Sequence, residues 1–314
     1  MWRLAQTTSP AKLASNNKGG EQSLEPYETC CLAEIFLPNI STYEEFVDVA
    51  KLLYRVNKHS LALPCAIAPE TEAVVHRNMR MGIGVTGYLQ ATADQKGWLA
   101  NAYEALREYD KEYSAANGWP ASIKLTCIKP SGTLSLLPGV VPGAHPGYAQ
   151  YMIRRIRMDA SHPLVSMCRE HGFLVEYEKK FDGTSSHSTV VVDFPFAYPE
   201  GTVLARDITA IEQLAVVKEL QENWADNSVS CTVYYKKEEL PLIKRYLAEN
   251  YNKGHKSLSF LLHSDHGFVQ APYEEITKER YEEMVRTSVP ITFFNEALAM
   301  TEDVDCNGGA CPVR

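Results

Sequence analysis

The sequence has no long apolar run and no excess of positive charge. No segment of its 314 residues approaches the roughly 18 consecutive apolar residues of a membrane span, and residues 1–4 lack the apolar core of a signal peptide. The net charge of −8 argues against the basic surface that a polynucleotide-binding protein needs. We therefore expect a cytosolic protein that binds neither a membrane nor a polynucleotide, whereas a small phosphorylated ligand remains compatible.

Cysteine is too scarce for a disulfide-stabilised secreted scaffold. The chain has eight cysteines, and two close pairings, Cys30 with Cys31 and Cys306 with Cys311, are typical of redox or metal chemistry rather than of structural cross-links. The other four lie in apolar surroundings and are interpreted as small buried side chains: Cys65, Cys127, Cys168 and Cys231.

Helical and strand patterns alternate from Cys31 onward. Apolar residues at helical spacing predict helices around residues 46–53, 99–106 and 211–218. Runs with strand character predict strands at residues 123–128, 153–158, 189–194, 228–235 and 258–262. This alternation indicates an α/β fold, whereas residues 1–29 lack periodicity and are interpreted as loop or disorder.

A hydroxyl-rich turn at residues 129–135, Lys-Pro-Ser-Gly-Thr-Leu-Ser, follows one of the predicted strands. Pro130 fixes a backbone dihedral angle, Gly132 permits close approach of a ligand, and Ser131, Thr133 and Ser135 supply hydroxyl groups. Together with backbone amides, these groups can bind a phosphate. The alternative is a Ser/Thr-capped turn before a helix, without a ligand.

Three arginines, Arg154, Arg155 and Arg157, lie on a predicted strand that follows a turn-rich segment at residues 138–147. They could clamp a polyphosphate. Side chains alternate along a strand, however, and we expect Arg155 to face away from the other two. A row of solvated charges is an equally good interpretation.

The last residues place Cys306 and Cys311 on either side of two consecutive glycines. This spacing allows a disulfide within the tail, and the terminal position gives the thiols a long reach. The competing hypothesis is a zinc site completed by His263 and His266.

Taken together, several of these segments resemble the monomeric adenosylcobalamin-dependent ribonucleoside-triphosphate reductases, the class II ribonucleotide reductases. The resemblance runs from about Asn17 onward and is strongest in segments 128–135, 143–148 (Gly-Ala-His-Pro-Gly-Tyr), 153–157 (Ile-Arg-Arg-Ile-Arg), 270–276 (Gln-Ala-Pro-Tyr-Glu-Glu-Ile) and 306–314. It implies an α/β fold that is the carboxyl-terminal half of the family's ten-stranded barrel at residues 17–295, followed by a flexible redox tail at 296–314. Residues 1–16 are a polar leader without a counterpart in the family.

The resemblance also implies roles for individual residues. Residues 17–22 align with the family's finger loop, Asn-x-Cys-x-Glu, so Asn17 would orient the substrate and Glu21 would be the general base. Cys30 would be one of two reducing thiols, with Cys31 its less certain neighbour. Gly19 stands where the family has the cysteine that becomes a thiyl radical, and glycine cannot form one.

The implied reaction is reduction of ribonucleoside triphosphates to 2′-deoxyribonucleoside triphosphates, with adenosylcobalamin as cofactor. Residues 130–133 would bind the substrate phosphates. Cys306 and Cys311 would re-reduce the active-site disulfide, and thioredoxin or a similar dithiol would then restore the tail. A complementary amino-terminal half is an expected partner, so independent catalysis is not expected. The rival hypothesis, supported by Gly19, is a non-catalytic remnant that binds a nucleotide or a partner.

Overall fold

The computed structural model describes residues 15–16, 22–180, 183–250, 253–263 and 269–292. The chain divides into two compact units, the first comprising Met1–Gly147 and Tyr198–Ser264 and the second Tyr148–Ala197 and Asp265–Arg314. The elements of the first unit are β1 (Ser15–Asn16), β2 (Ser23–Leu24), β3 (Cys31–Phe36), α1 (Tyr43–Leu61), α2 (Pro69–Asn78), β4 (Met81–Thr86), α3 (Ala93–Ala116), α5 (Ala210–Asn223), β8 (Thr232–Tyr235), α6 (Leu240–Asn250) and β9 (Ser259–Leu262). Those of the second unit are β5 (Tyr151–Asp159), α4 (Pro163–Glu170), β6 (Leu174–Lys179), β7 (Ser185–Ala197), β10 (Tyr273–Glu275) and α7 (Lys278–Thr287).

Five extended segments of the first unit run parallel and neighbour one another in chain order. β3 pairs with β4, and β8 pairs with β9. Between these pairs, a bridge from Ile83 to Thr126 and another from Ile128 to Val229 connect β4, the segment at residues 124–128 and the segment that leads into β8. Four of these five segments are β-strands, and the third, at residues 124–128, forms isolated bridges. The strand predicted at residues 258–262 is confirmed, the one at 228–235 is confirmed for its second half, and residues 123–128 form bridges rather than a continuous strand.

Helices α1 and α3 contact each other, and α1 also packs on β3 and β4. Their apolar faces are buried, with Phe46, Ala50, Tyr54, Leu99, Ala102, Tyr103 and Leu106 in the core. The three helices predicted from periodicity are confirmed. In the third, α5, the buried residues are Ala210, Gln213, Leu214, Val217 and Leu220, whereas Ala215 is exposed.

Threonine side chains fix the first turns of the long helices. At the start of α1, Thr42 accepts a hydrogen bond from the Glu45 amide at 3.1 Å. Thr92 and Thr209 begin α3 and α5 in the same way, and each forms a reciprocal capping box with the third helical residue. Such caps satisfy amides that have no partner within the helix, so the short connections after β3 and β4 lead directly into stable helices.

A buried aspartate, Asp226, holds the third parallel segment in place. Its carboxylate accepts hydrogen bonds from the amides of Leu125 and Thr126 at 2.9–3.1 Å. It also accepts from Arg107 Nη2 at 2.8 Å and from the Tyr103 hydroxyl at 3.0 Å, both on α3. These donors offset the cost of burying the charge and tie the segment to the helix layer.

The sequence patterns predict neither β3 nor β4, and two glycines weaken the strand signal of β4. Neither glycine has room for a side chain. A Cβ atom on Gly82 would lie 2.7 Å from Cys127 Sγ, and one on Gly84 would lie 2.9 Å from Glu34 Oε2. Side chains of the neighbouring strands therefore fill the space over β4.

The second unit is built on a four-stranded antiparallel sheet with the order β10-β5-β7-β6. α7 packs on β5 and β7, and α4 packs on β6 and β7. The strands predicted at residues 153–158 and 189–194 are confirmed, but they belong to this sheet rather than to the parallel one, because periodicity does not reveal strand direction. The domain boundaries predicted after residues 16 and 295 adjoin or lie among residues outside the described ranges and stay predictions.

Replacing Gly82 with alanine should destabilise the chain by about 1–3 kcal/mol, because the added methyl group would overlap Cys127 Sγ in a packed interior. The matched control is Gly97→Ala on α3, where nothing lies within 4 Å of the added Cβ atom. Alanine is the better helix former, so this control should gain roughly 0.5–1 kcal/mol. Urea unfolding measures both changes, and equal effects would contradict the packing over β4.

Candidate active site

The loop at residues 129–135 begins where the third parallel segment ends, and a second loop at residues 138–147 lies against it. A Cβ atom on Gly143 would collide with the carbonyl oxygen of Lys129, and Gly143 has a φ of +52°. Thr86, the last residue of β4, fixes this approach because its Oγ1 accepts a hydrogen bond from the Gly143 amide at 2.5 Å. Ligands of parallel α/β sheets bind at the carboxyl ends of the strands, so the two loops mark a candidate site.

Two buried hydroxyl oxygens in the 129–135 loop, Ser131 Oγ and Ser135 Oγ, have no hydrogen-bond partner within the described part of the chain. Ser131 has a φ of +50°, which is uncommon for a residue with a side chain. Its carbonyl oxygen accepts a hydrogen bond from the Ser135 amide at 3.1 Å, so the turn closes on itself. A short 3-10 helix, Leu134–Leu136, follows, and no side-chain hydrogen bond caps its start. The alternative of a Ser/Thr-capped turn before a helix is therefore right about the helix and wrong about the cap.

The four residues predicted to contact phosphate differ in exposure. Pro130 and Thr133 are exposed, whereas Ser131 and Gly132 are half-buried. Ser135, whose hydroxyl was predicted to belong to the same anion-binding turn, is fully buried. Unpartnered buried hydroxyls are costly in a folded protein, so Ser131 and Ser135 are the strongest candidates for ligand contacts.

A buried ion pair joins the 129–135 loop to β3. The Glu34 side chain is 2% exposed, and its Oε2 lies 2.6 Å from Lys129 Nζ. Glu34 lies opposite Gly84 in the pairing of β3 with β4, and the absence of a side chain at Gly84 leaves room for the carboxylate. Sequence reasoning missed this pair because the two residues are distant in the chain. The sequence offered no signal for it, because neither β3 nor β4 was predicted.

Cys30 and Cys31 stand at the amino end of β3, and both are half-buried. Neither forms a disulfide with another described cysteine. Burial raises the pKa of Cys31, which makes it a poor source of thiolate at neutral pH. The turn before them is anchored by Glu28, whose Oε1 accepts hydrogen bonds from Arg80 Nε and Asn78 Nδ2, both at 2.9 Å. Cys30 is thus held near one end of the parallel strands and the 129–135 loop lies at the other.

His145 is a buried histidine with both ring nitrogens in use. Nε2 accepts a hydrogen bond from the Thr232 amide at 3.0 Å, so Nδ1 carries the proton and donates it to the Pro142 carbonyl oxygen at 3.2 Å. Burial lowers its pKa, although the bond to Pro142 acts in the opposite direction. His145 is thus a hydrogen-bonded interior residue that ties the 138–147 loop to β8.

The arginines of β5 do not form a phosphate clamp. Arg155 Nε lies 3.0 Å from Asp193 Oδ1, and Arg157 Nε lies 2.5 Å from Glu178 Oε1. Arg154 stacks on an aromatic ring, 4.6 Å from its centroid. The prediction that Arg155 faces away from both others is wrong, because residues two apart on a strand share a face and Arg155 and Arg157 are such a pair.

The interpretation of four cysteines as buried apolar residues is confirmed for Cys127, Cys168 and Cys231. Burial raises the pKa of Cys231 to about 12, so its thiol is inert at neutral pH. The interpretation is wrong for Cys65, which is half-buried because it lies in the connection between α1 and α2 rather than in the core.

The remaining residues with implied roles lie outside the described ranges: Asn17, Gly19, Glu21, Cys306 and Cys311. Their roles stay predictions. The zinc hypothesis stays untested as well, since only His263 among its four ligands is described. Within the described ranges, no group of three or more His, Cys, Asp or Glu side chains is placed to hold a metal ion.

Comparisons with known proteins identify the family. No family model matches the sequence. A probable adenosylcobalamin-dependent ribonucleoside-triphosphate reductase of Dictyostelium discoideum is 36% identical over 305 residues, covering 93% of this chain and 39% of that protein. An adenosylcobalamin-dependent ribonucleoside-triphosphate reductase of Euglena gracilis is 36% identical over 295 residues, covering 91% and 40%. The crystal structure of a B-12 dependent (class II) ribonucleotide reductase matches with a TM-score of 0.73 at 27% identity, covering 94% of this chain and 45% of that one.

The chain belongs to the class II ribonucleotide reductases. It spans about two fifths of the length of the curated reductases it matches. The expected α/β reductase fold is confirmed by the structural match. Among the described residues of this reductase chain, no helix combines the length and apolarity needed to cross a membrane.

A protein imidazole that binds cobalt needs a ring nitrogen with a free lone pair. Both ring nitrogens of His145 are used in hydrogen bonds, so this histidine of the candidate site does not fit a cobalt ligand.

The buried state of His145 predicts a specific pH dependence of stability. Its pKa is lowered in the folded chain, so below the ordinary imidazole pKa of about 6.5 the unfolded chain binds the extra proton and the folded chain does not. Stability should therefore fall as the pH falls through that value, by up to about 2 kcal/mol between pH 7.5 and pH 5.

His145→Gln is the matched variant, because glutamine can accept the Thr232 hydrogen bond and does not titrate. Urea unfolding of both proteins at several pH values isolates the contribution of this histidine, since all other titrating groups are common to them. Parallel stability profiles would contradict the assignment of His145 as a buried neutral residue.

Proposed function

We propose that this chain supplies the phosphate-binding loop and a reducing thiol of a class II reductase that converts ribonucleoside triphosphates to 2′-deoxyribonucleoside triphosphates. The observation that carries the proposal is the pair of unpartnered buried hydroxyls, Ser131 and Ser135, in a strained turn at the carboxyl ends of parallel strands. Such a turn presents donors that a phosphate oxygen can satisfy. The names of the similar proteins supply the substrate class and the cofactor, adenosylcobalamin.

The proposed binding set is Ser131, Gly132 and Thr133, extended by Ser135, with Pro130 fixing the start of the turn. The buried hydroxyl groups of Ser131 and Ser135 would donate to phosphate oxygens, and these charge-assisted bonds are stronger than bonds between neutral groups. Because the 138–147 loop packs against Lys129, the turn is held in shape before a ligand arrives.

The proposed redox chemistry uses thiols of this chain together with sequence beyond it. Reduction of the ribose replaces the 2′-hydroxyl by hydrogen and releases water, while two thiols become a disulfide. Cys30 would be one of these thiols. Cys306 and Cys311 would then reduce the disulfide by thiol exchange and be oxidised in turn, and thioredoxin or a similar dithiol would restore them.

Asn17 and Glu21 are proposed to orient the substrate and to accept the 3′-hydroxyl proton. The other reducing thiol would come from a complementary amino-terminal half, on the same or another polypeptide. Adenosylcobalamin supplies radical chemistry when bound. At residue 19 this chain has no sulfur atom on which a thiyl radical could form. A cytoplasmic location stays a prediction from the sequence.

A non-catalytic role is the second candidate, because of Gly19. A chain with an intact phosphate loop and no radical residue would bind a nucleotide or a partner half without turnover. This candidate shares phosphate binding with the first and differs only in catalysis, so separate experiments address the two properties.

A ribonucleoside triphosphate should slow amide hydrogen exchange at residues 129–135 of the full chain. The double variant Ser131→Ala/Ser135→Ala should weaken binding by tenfold or more, since hydrogen bonds to charged groups contribute about 1.5–3 kcal/mol each. Ser166→Ala is the control, because Ser166 is an exposed residue of the second unit. A nucleoside without phosphates serves as the control ligand. Absence of protection by the triphosphate would refute phosphate binding by this loop.

Deoxynucleotide formation should require Gly19→Cys in an enzyme reconstituted from this chain, the remaining reductase sequence and adenosylcobalamin. Gly20→Cys is the matched control, since it adds the same thiol one residue away. Turnover with Gly19 retained would show that residue 19 does not hold the radical position.

A further inference from the structure

We infer that Glu34 is a positioning residue for the 129–135 loop, which it holds in a phosphate-accepting shape through its ion pair with Lys129. The inference rests on the proposed function, because that loop is the proposed phosphate site. Glu34 itself would not touch the phosphate. It would act by fixing the point at which the chain leaves the third parallel segment.

The first support is the location of Glu34 within the sheet. It lies in the middle of β3, and its neighbour Ile35 points to the opposite face, where it joins the core with the helices. Glu34 therefore faces the side of the sheet on which Gly84 leaves space for its carboxylate. An ionised carboxylate that is 2% exposed is stable only with a charged or hydrogen-bonded partner.

The second support is that Lys129 is held at two points. Its ammonium lies 2.6 Å from Glu34 Oε2. Its carbonyl oxygen packs so closely on Gly143 that no side chain fits there, and Gly143 is fixed in turn by the hydroxyl of Thr86. Side chain and backbone of Lys129 are thus both anchored immediately before the turn.

The third support is the backbone that follows. Pro130 has a restricted φ, and Ser131 takes a φ of +50°, a conformation that costs energy for a residue with a side chain. A strained turn persists only when its surroundings impose it. With Lys129 anchored at two points, the chain enters the turn in a fixed direction. Releasing one anchor would let Ser131 relax and displace its hydroxyl.

For the triphosphate affinity of a Glu34→Gln variant, this inference predicts a change opposite in sign to the one that simple electrostatics predicts. Glu34→Gln removes a negative charge and leaves the Lys129 ammonium without its countercharge, so charge alone predicts tighter binding of a triphosphate. Positioning predicts weaker binding, since small misplacements of binding groups are expensive. We expect Glu34→Gln to weaken triphosphate binding by about tenfold, which corresponds to 1.4 kcal/mol, while a nucleoside without phosphates binds as in the wild type.

Three further variants separate positioning from general stability. Lys129→Arg keeps the ion pair and should bind the triphosphate nearly as the wild type does. Lys129→Met removes the cation. The double variant Glu34→Gln/Lys129→Met leaves no unpaired buried charge and should fold with a Tm near the wild-type value. If the pair serves stability alone, this double variant regains binding as well as Tm. If Glu34 positions the loop, binding stays weak.

Calorimetric titration of the full chain with a ribonucleoside triphosphate measures binding, and hydrogen exchange without ligand measures the loop itself. We expect faster exchange at residues 129–135 in Glu34→Gln and in the double variant, but not in Lys129→Arg. Unchanged exchange, or tighter binding by Glu34→Gln, would overturn the inference. If the wild type binds no triphosphate, the proposed function fails, and exchange in the unliganded variants alone then supports or overturns the anchoring by Glu34.

Discussion

The carboxylate of Asp226 fixes the position of the third parallel segment in the first unit. The third parallel segment forms isolated bridges to its neighbouring strands, and side chains add to the backbone hydrogen bonds that it makes with them. Asp226 binds the amides of Leu125 and Thr126, and Asn227 Nδ2 donates to the carbonyl oxygens of Met81 and Thr126, both at 2.9 Å. Three residues beyond Thr126 the chain reaches Lys129, so the position of the proposed phosphate loop depends on this network.

Two glycines are as important to the site as the residues with side chains. Gly84 makes room for Glu34, and Gly143 lets one loop lie directly on the backbone of another. Charges in the second unit are used differently, since Arg155 and Arg157 pair with acidic residues of their own sheet. In the first unit, the unpartnered hydroxyls of Ser131 and Ser135 lie in the loop that begins at Lys129, and the charge of this lysine is paired with Glu34. This contrast explains why a basic strand, although conspicuous in the sequence, is a poorer phosphate candidate than a turn of serines.

The sequence predicted those parts of the fold that local spacing determines. Leu99, Ala102, Tyr103 and Leu106 repeat with helical periodicity and are buried together. β4 was not found, because its glycines are selected by contacts with Cys127 and Glu34 that lie far away in the chain. Strand direction and the separation into two units were likewise outside the reach of periodicity, since both depend on pairing between distant segments.

For the candidate site, the hydroxyl pattern and the family resemblance located the 129–135 loop, but not the residues that hold it. Glu34 is 95 positions from Lys129 in the chain, and a lone glutamate within an apolar strand does not name its partner. The roles carried over by resemblance alone fall largely on residues 17–21 and 306–311, outside the described ranges. The sequence placed the hydroxyls of Ser131, Thr133 and Ser135 in one turn, but it could not show that Ser135 is fully buried.

The backbone conformation and the hydroxyl group at residue 131 favour different amino acids. Its backbone conformation favours glycine, which would relax the turn and remove a hydroxyl. Its hydroxyl favours serine, which retains the donor at a conformational cost of about 1–2 kcal/mol. Position 131 should therefore tolerate very few substitutions in evolution, and drift there would be confined to residues that accept a left-handed backbone. The residue found at position 131 in related chains would therefore indicate whether the loop is still under selection to bind its ligand.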